Sequence, residues 1–94
     1  MANQTFHIIH NVLEKRFEAR VDGWLCRLDY ELQGRVLHLL HTQVPAAVEG
    51  RGIAAALAHE ALSWAREADF KVSPQCSYIQ SYLKRHPQWQ DLLI

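Results

Sequence analysis

The stretch VPAAVEGRGIAAALAHEALSWARE, Val44 to Glu67, decides how the rest of the chain reads. Pro45 ends a strand, because proline cannot donate to a ladder. A helix begins near Ile53 and runs to about Glu67: Ile53, Leu57, Ala61, Trp64, Ala65 and Ala68 recur at helical spacing and form one apolar stripe. Between the two lie Glu49-Gly50-Arg51-Gly52, with no Ser, Thr, Asp or Asn to cap the helix. The first N–H groups of a helix need partners. Glycine lets a ligand approach without a Cβ in the way. An uncapped helix start carries free donors and the positive end of the dipole, which together suit an anion, phosphate above all. Arg51 adds a fixed positive charge. The plainer alternative is that Gly50 serves as a tolerable cap and water bonds the remaining amides.

Working upstream, the chain reads as strands. TFHII (residues 5–9) is a short apolar run, read as the first strand, with a polar break from Asn11. RFEARV alternates, placing Phe17, Ala19 and Val21 on one side and Arg16, Glu18 and Arg20 on the other. Asp22-Gly23 is a hairpin signal. In WLCRLDYEL, Trp24, Cys26, Leu28, Tyr30 and Leu32 share a face, and Arg27, Asp29 and Glu31 share the wet one. Gln33-Gly34 marks a second turn. RVLHLLHTQV is apolar on both faces, as a covered or central strand is. Trp24, Trp64 and Cys26 read as core.

Downstream, DFKVSP is a short strand stopped by Pro74, YIQSYLKRH a second helix ended before Pro87, and QWQDLLI a tail with apolar anchors that docks. The order implies an α+β fold: a mixed sheet of about five strands, mostly antiparallel, with two main helices. The strand–helix–strand step makes the last strand parallel to the fourth.

The whole fits one small domain, 1–94, with a single core. Ten basic residues balance ten acidic ones, which argues against an electrostatic nucleic-acid binder. No window approaches the ~20 apolar residues of a membrane span, and no signal peptide is evident. The two cysteines, Cys26 and Cys76, are too few for a disulfide scaffold, so the chain reads as cytoplasmic with reduced thiols. His38 and His41, three residues apart on a strand, are expected to point to opposite faces, which argues against a zinc pair, and no metal is implied.

Three phosphate-binding patterns compete for the glycines. The nucleotide-triphosphate loop needs a lysine that is absent. Gly50-Arg51-Gly52-Ile53-Ala54-Ala55 matches the dinucleotide fingerprint on paper. That fingerprint, however, follows the first strand of a repeated βαβ fold, whereas here the glycines follow the fourth. The third pattern is [Q/R]xxGxG/A, and AVEGRGIA resembles it, with Ala47 where Gln or Arg is usual. It belongs to the GNAT superfamily of N-acetyltransferases. Two longer segments resemble its minimal single-domain members: His41-Thr42-Gln43-Val44-Pro45 with Gly50-Arg51-Gly52-Ile53-Ala54, and Pro74-Gln75-Cys76-Ser77-Tyr78 with Tyr82, Arg85, His86, Pro87 and Trp89. The likeness covers roughly residues 15–92.

The resemblance implies the acyl-CoA N-acyltransferase fold and acetyl transfer from acetyl-CoA to an amine. The amides of Gly50, Arg51, Gly52, Ile53 and Ala54 would hold the CoA pyrophosphate, with Arg51 as the nearer charged partner. Thr42, Gln43 and Val44, together with His41, would pair their backbone with the pantetheine arm. Cys76 reads as an acetyl-accepting thiolate, as lining of the pocket, or as a small buried hydrophobe. His41 reads as the base or as a structural histidine. Tyr78, one turn from Tyr82, reads as the group that protonates the departing thiolate or as a packed aromatic. A module that binds CoA or acyl-CoA without turnover fits the same glycines. The acceptor amine, small molecule or protein, and the oligomeric state are not named by any residue.

Overall fold

Asp22 and Gly23 carry φ of 51° and 81°, the left-handed pair that a two-residue hairpin turn requires. They join strand β2 (Arg16–Val21) to β3 (Trp24–Gln33) in a computed structural model that describes residues 6–94. Val21 lies opposite Trp24 and Arg16 opposite Asp29. This register puts Phe17 against Leu28 and Ala19 against Cys26 on a buried face. On the other face, Arg16 opposes Asp29 and Glu18 opposes Arg27, and ion pairs along each strand (Arg16–Glu18, 2.6 Å; Arg27–Asp29, 3.2 Å) complete a charge lattice.

The five strands lie in sequence order, with β1 (Ile9–Asn11) at one edge and β5 (Lys71–Pro74) at the other. The first strand differs from the expected TFHII: it meets that run only at Ile9, and Thr5 lies outside the described residues. Pairing with β2 decides it. His10 sits opposite Phe17 and stacks on it at 4.2 Å between ring centres, so two polar residues, His10 and Asn11, belong to the strand. Trp24, expected in the core, is 48% exposed, at the turn end of the β2–β3 hairpin.

Strand β4 (Val36–Gln43) pairs antiparallel with β3 from Gln33–Val36 onward, but the register slips. Tyr30 opposes Leu39 and Asp29 opposes His41, leaving Leu40 without a partner. This is a β-bulge. Strand alternation restarts one residue late, so Thr42, opposite Leu28, faces the core side, while His41 faces outward with Asp29. His38, opposite Glu31, faces outward too. The two histidines therefore share a face, contrary to the alternation expected from sequence. Among the described residues no group of three or more His, Cys, Asp or Glu is placed to hold a metal ion.

Helix α1 (Ile53–Ala68) crosses over to β5, which pairs parallel with β4 from Val36–Lys71 to Leu39–Pro74. Ile53, Leu57, Ala58, Ala61, Leu62 and Ala65 are its buried residues, close to the expected stripe. Its end is set by Asp69 at φ 63°, whose amide returns to Ala65 and Arg66. Helix α2 (Ser77–Arg85) and a 3-10 segment (Pro87–Leu92) finish the core through Ile79, Tyr82, Leu83, Trp89 and Leu92. The tail thus docks, and Leu93 forms a parallel bridge with Val72 along the outer edge of β5. No helix among the described residues is long and apolar enough to cross a membrane.

Candidate acyl-donor site

The β4–β5 ladder stops early. Pro74 ends β5, and the amides of Gln75 and Cys76 both donate to the Leu39 carbonyl, at 3.0 and 3.1 Å. Strand β4 continues to Gln43, paired only with β3. Among the described residues, its β5 side from Leu40 to Gln43 is an open backbone edge, because β5 ends at Pro74 and the chain turns into α2; this gap between β4 and the end of β5 is the splay.

The chain leaves that edge through Val44 and a 3-10 turn (Ala46–Val48) to the glycines. Gly50 and Gly52 hold φ of 81° and 85°, a conformation that costs a residue with a Cβ about 1–2 kcal/mol. Gly52 is the N-cap of α1 and offers no side chain; the first helical bond runs from Ala56 to the Gly52 carbonyl, at 3.0 Å. Among the described residues, the amides of residues 50–55 donate to no protein acceptor. All of these residues but Arg51 line a cleft of about 450 Å³, together with Val44 and, from α2, Tyr78. Glu49 stands at its rim. A Cβ built on Gly50 or Gly52 meets nothing within 4 Å, so the loop presents bare backbone to open space.

Unpartnered donors, a positive helix end and an unobstructed approach fit an anionic diphosphate, and the open β4 edge fits an amide-bearing arm. Arg51 is placed otherwise. Its Nη2 donates to Asp22 Oδ2 at 2.7 Å across the β2–β3 turn, and its side chain is not part of the cleft wall.

Cys76 is the N-cap of α2 and half-buried. Burial pushes its thiol up, but the Thr42 hydroxyl and the amides of Ile79, Tyr78 and Thr42 turn their positive ends toward the sulfur and carry it below the ordinary thiol range. The amides form no capping hydrogen bond. The one bond of that geometry is Sγ to Thr42 Oγ1, at 3.5 Å. The bulge turns Thr42 inward to make it. For Cys26, fully buried, burial alone raises the thiol. Tyr78 is held above the ordinary phenol range, first by burial and then by Tyr82 and Cys76, with Arg85 opposing. It therefore stays protonated. His41 is exposed on the outer face, opposite Asp29, so β4 itself separates it from Cys76. Thr42, Gln43 and Val44 lie along and just past the open edge. Sequence reading missed the Thr42–Cys76 contact and the Asp22–Arg51 pair. The Leu-Leu-His run carries no residue that marks a bulge, and a turn aspartate carries no sign of a partner far along the chain.

The sequence pattern of GCN5-related N-acetyl-transferases matches residues 16–92, from β2 through the docked tail. The chain belongs to that family. It is 43% identical to Protein NATD1 of Mus musculus over 81 residues, covering 83% of this chain and 74% of that protein. Protein NATD1 of Xenopus tropicalis is 38% identical over 88 residues, with 90% and 81% covered. Among solved structures, a GCN5-like protein from Staphylococcus aureus superposes with a TM-score of 0.76 at 24% identity, covering all of this chain and 91% of that one. That likeness supports the fold: a five-stranded mixed sheet with two main helices. Family membership supports acetyl-CoA-dependent N-acetyl transfer in general, with acetyl-CoA as the donor and an amine as the acceptor class.

Proposed function

We propose that the glycine loop holds the pyrophosphate of acetyl-CoA and that the chain transfers its acetyl group to an amine at the splay between β4 and β5. One observation carries this reading: six consecutive amides, residues 50–55, have no protein acceptor among the described residues, and all of those residues but Arg51 line the cleft beside Tyr78.

The transfer breaks a thioester C–S bond and forms a C–N bond. One proton leaves the amine and one reaches the departing sulfur. The open backbone of Leu40 to Gln43 orients the donor arm by strand-like pairing. Tyr78, which lines the cleft and is kept protonated by burial, can offer its hydroxyl hydrogen to the departing sulfur. Cys76 lies on the helical side of the splay with its thiol made more acidic than an ordinary one, so it can lose its proton, accept the acetyl group as a thioester and pass it to the amine. His41 stands on the outer face with β4 between it and Cys76, so it would take the amine proton only from an acceptor that approaches from that face.

The test is a titration of the isotopically labelled chain with CoA and acetyl-CoA, followed by backbone amide shifts and by loss of thioester with and without a panel of amines. Saturable shifts centred on Gly50, Arg51, Gly52 and Ile53 are expected. Their absence at millimolar ligand overturns the reading. Binding without thioester loss for any amine leaves a CoA-binding module.

A further inference from the structure

Arg51 stands between two glycines that line the cleft, yet its guanidinium is turned away to the β2–β3 turn. Its partner there is Asp22, whose carboxylate and the guanidinium are both substantially solvent-exposed, 63% and 38%. An exposed ion pair of this kind is weak. A phosphate offers the same guanidinium two or more anionic oxygens in the planar geometry it fits best. The flanking left-handed glycines give the segment the backbone freedom to re-aim the side chain. An anion in the cleft would therefore compete with Asp22 for the guanidinium.

We propose that Asp22 is a positioning residue for the donor site: it holds Arg51 outside the cleft in the free protein and competes with the phosphates of CoA for it. The inference rests on the cofactor reading above. Asp22 belongs to a turn distant in sequence from the glycine loop, and it acts only through Arg51. Replacing it by Asn keeps the turn, since Asn tolerates the left-handed conformation that Asp22 adopts at φ 51°. The substitution removes the competing charge and frees Arg51 for the ligand.

The experiment measures the dissociation constants of CoA, dephospho-CoA and pantetheine, by calorimetry or amide shifts, on four full chains: unaltered, Asp22→Asn, Arg51→Gln and the double variant. Asp22→Asn is expected to tighten CoA about two- to fivefold, the worth of an exposed ion pair. Arg51→Gln is expected to weaken CoA and to abolish the gain from Asp22→Asn. Pantetheine, which has no phosphate, is expected to bind all four chains alike, a result that a merely structural role for Asp22 does not give. Dephospho-CoA separates the phosphates. A gain that persists with it assigns Arg51 to the pyrophosphate, and a gain that disappears assigns it to the 3′-phosphate. Saturable CoA binding that Asp22→Asn weakens, leaves unchanged, or tightens equally without Arg51 overturns this proposal alone. No saturable binding to the unaltered chain overturns it together with the cofactor reading.

Discussion

Replacing Gly52 by Ala separates the backbone demand of the donor loop from its ligand demand. Gly52 holds φ 85°, where an L-residue is strained by about 1–2 kcal/mol. Part of this is returned because Ala has less freedom than Gly in the unfolded chain, leaving a net cost of about 1 kcal/mol. For a domain of this size that lowers the melting midpoint by about 4–8 °C. The added methyl meets no protein atom within 4 Å, so the strain is not compounded by a clash. It does occupy space beside a cleft that Gly52 lines, and an anion displaced from one amide loses a charge-assisted bond worth about 1.5–3 kcal/mol, tenfold or more in affinity. Gly34 supplies the control. It sits in the β3–β4 turn at φ 60°, also with nothing within 4 Å of its would-be Cβ, and is not part of the cleft wall. Gly34→Ala is expected to cost similar stability and to leave CoA affinity unchanged. Differential scanning calorimetry and a CoA titration on both variants decide the matter. If the two variants bind CoA equally well, bare backbone at Gly52 is not what the ligand uses.

Three further outcomes are expected. Alkylation by iodoacetamide, read by mass spectrometry against pH, should label Cys76 with a midpoint below that of an ordinary exposed thiol and spare Cys26 in the folded chain; Thr42→Val should move the Cys76 midpoint upward by removing the facing hydroxyl. His10 is held below the ordinary histidine value by burial, with Glu60 opposing, so the unfolded chain binds its proton more readily. This contribution to stability is full above pH ~6.5 and is lost as pH falls through and below that value, so the drop in urea midpoint from pH 7.5 to 5 should be smaller in His10→Gln than in the unaltered chain. Leu57→Ala, at a fully buried site facing the sheet, should cost about 2–5 kcal/mol in chemical denaturation, a large share of the stability of so small a domain.

Much of the fold was legible wherever one face of an element is buried. The alternation in RFEARV and WLCRLDYEL gave the β2–β3 pair its correct faces, and the Ile53–Leu57–Ala61–Ala65 spacing gave α1 its stripe, because burial imposes a period on residue type. The edge strand was harder. β1 is short and one-sided, so its limits are set by what β2 offers it rather than by its own composition. The donor loop was legible as two glycines before an uncapped helix. The side chains around it were not. Which way His41 and Thr42 face depends on the slip at Leu40, and where Arg51 reaches depends on a turn that only the folded sheet brings near.

That slip has a consequence beyond geometry. Upstream of Leu40 the odd-numbered positions of β4, Leu37 and Leu39, serve the core; downstream the even-numbered Thr42 turns inward. One unpaired residue thus divides a single strand into two registers with separate duties, one anchoring the sheet and one serving the splay. Were β4 regular through Leu40, that leucine would take the place opposite Asp29, the imidazole of His41 would turn toward the helices and the Thr42 hydroxyl would turn away from Cys76. Deleting Leu40 would instead leave Leu39, His41 and Thr42 in plain alternation and keep both side chains on their present faces. The bulge residue therefore fixes which chemistry the strand presents to whatever docks against its open edge.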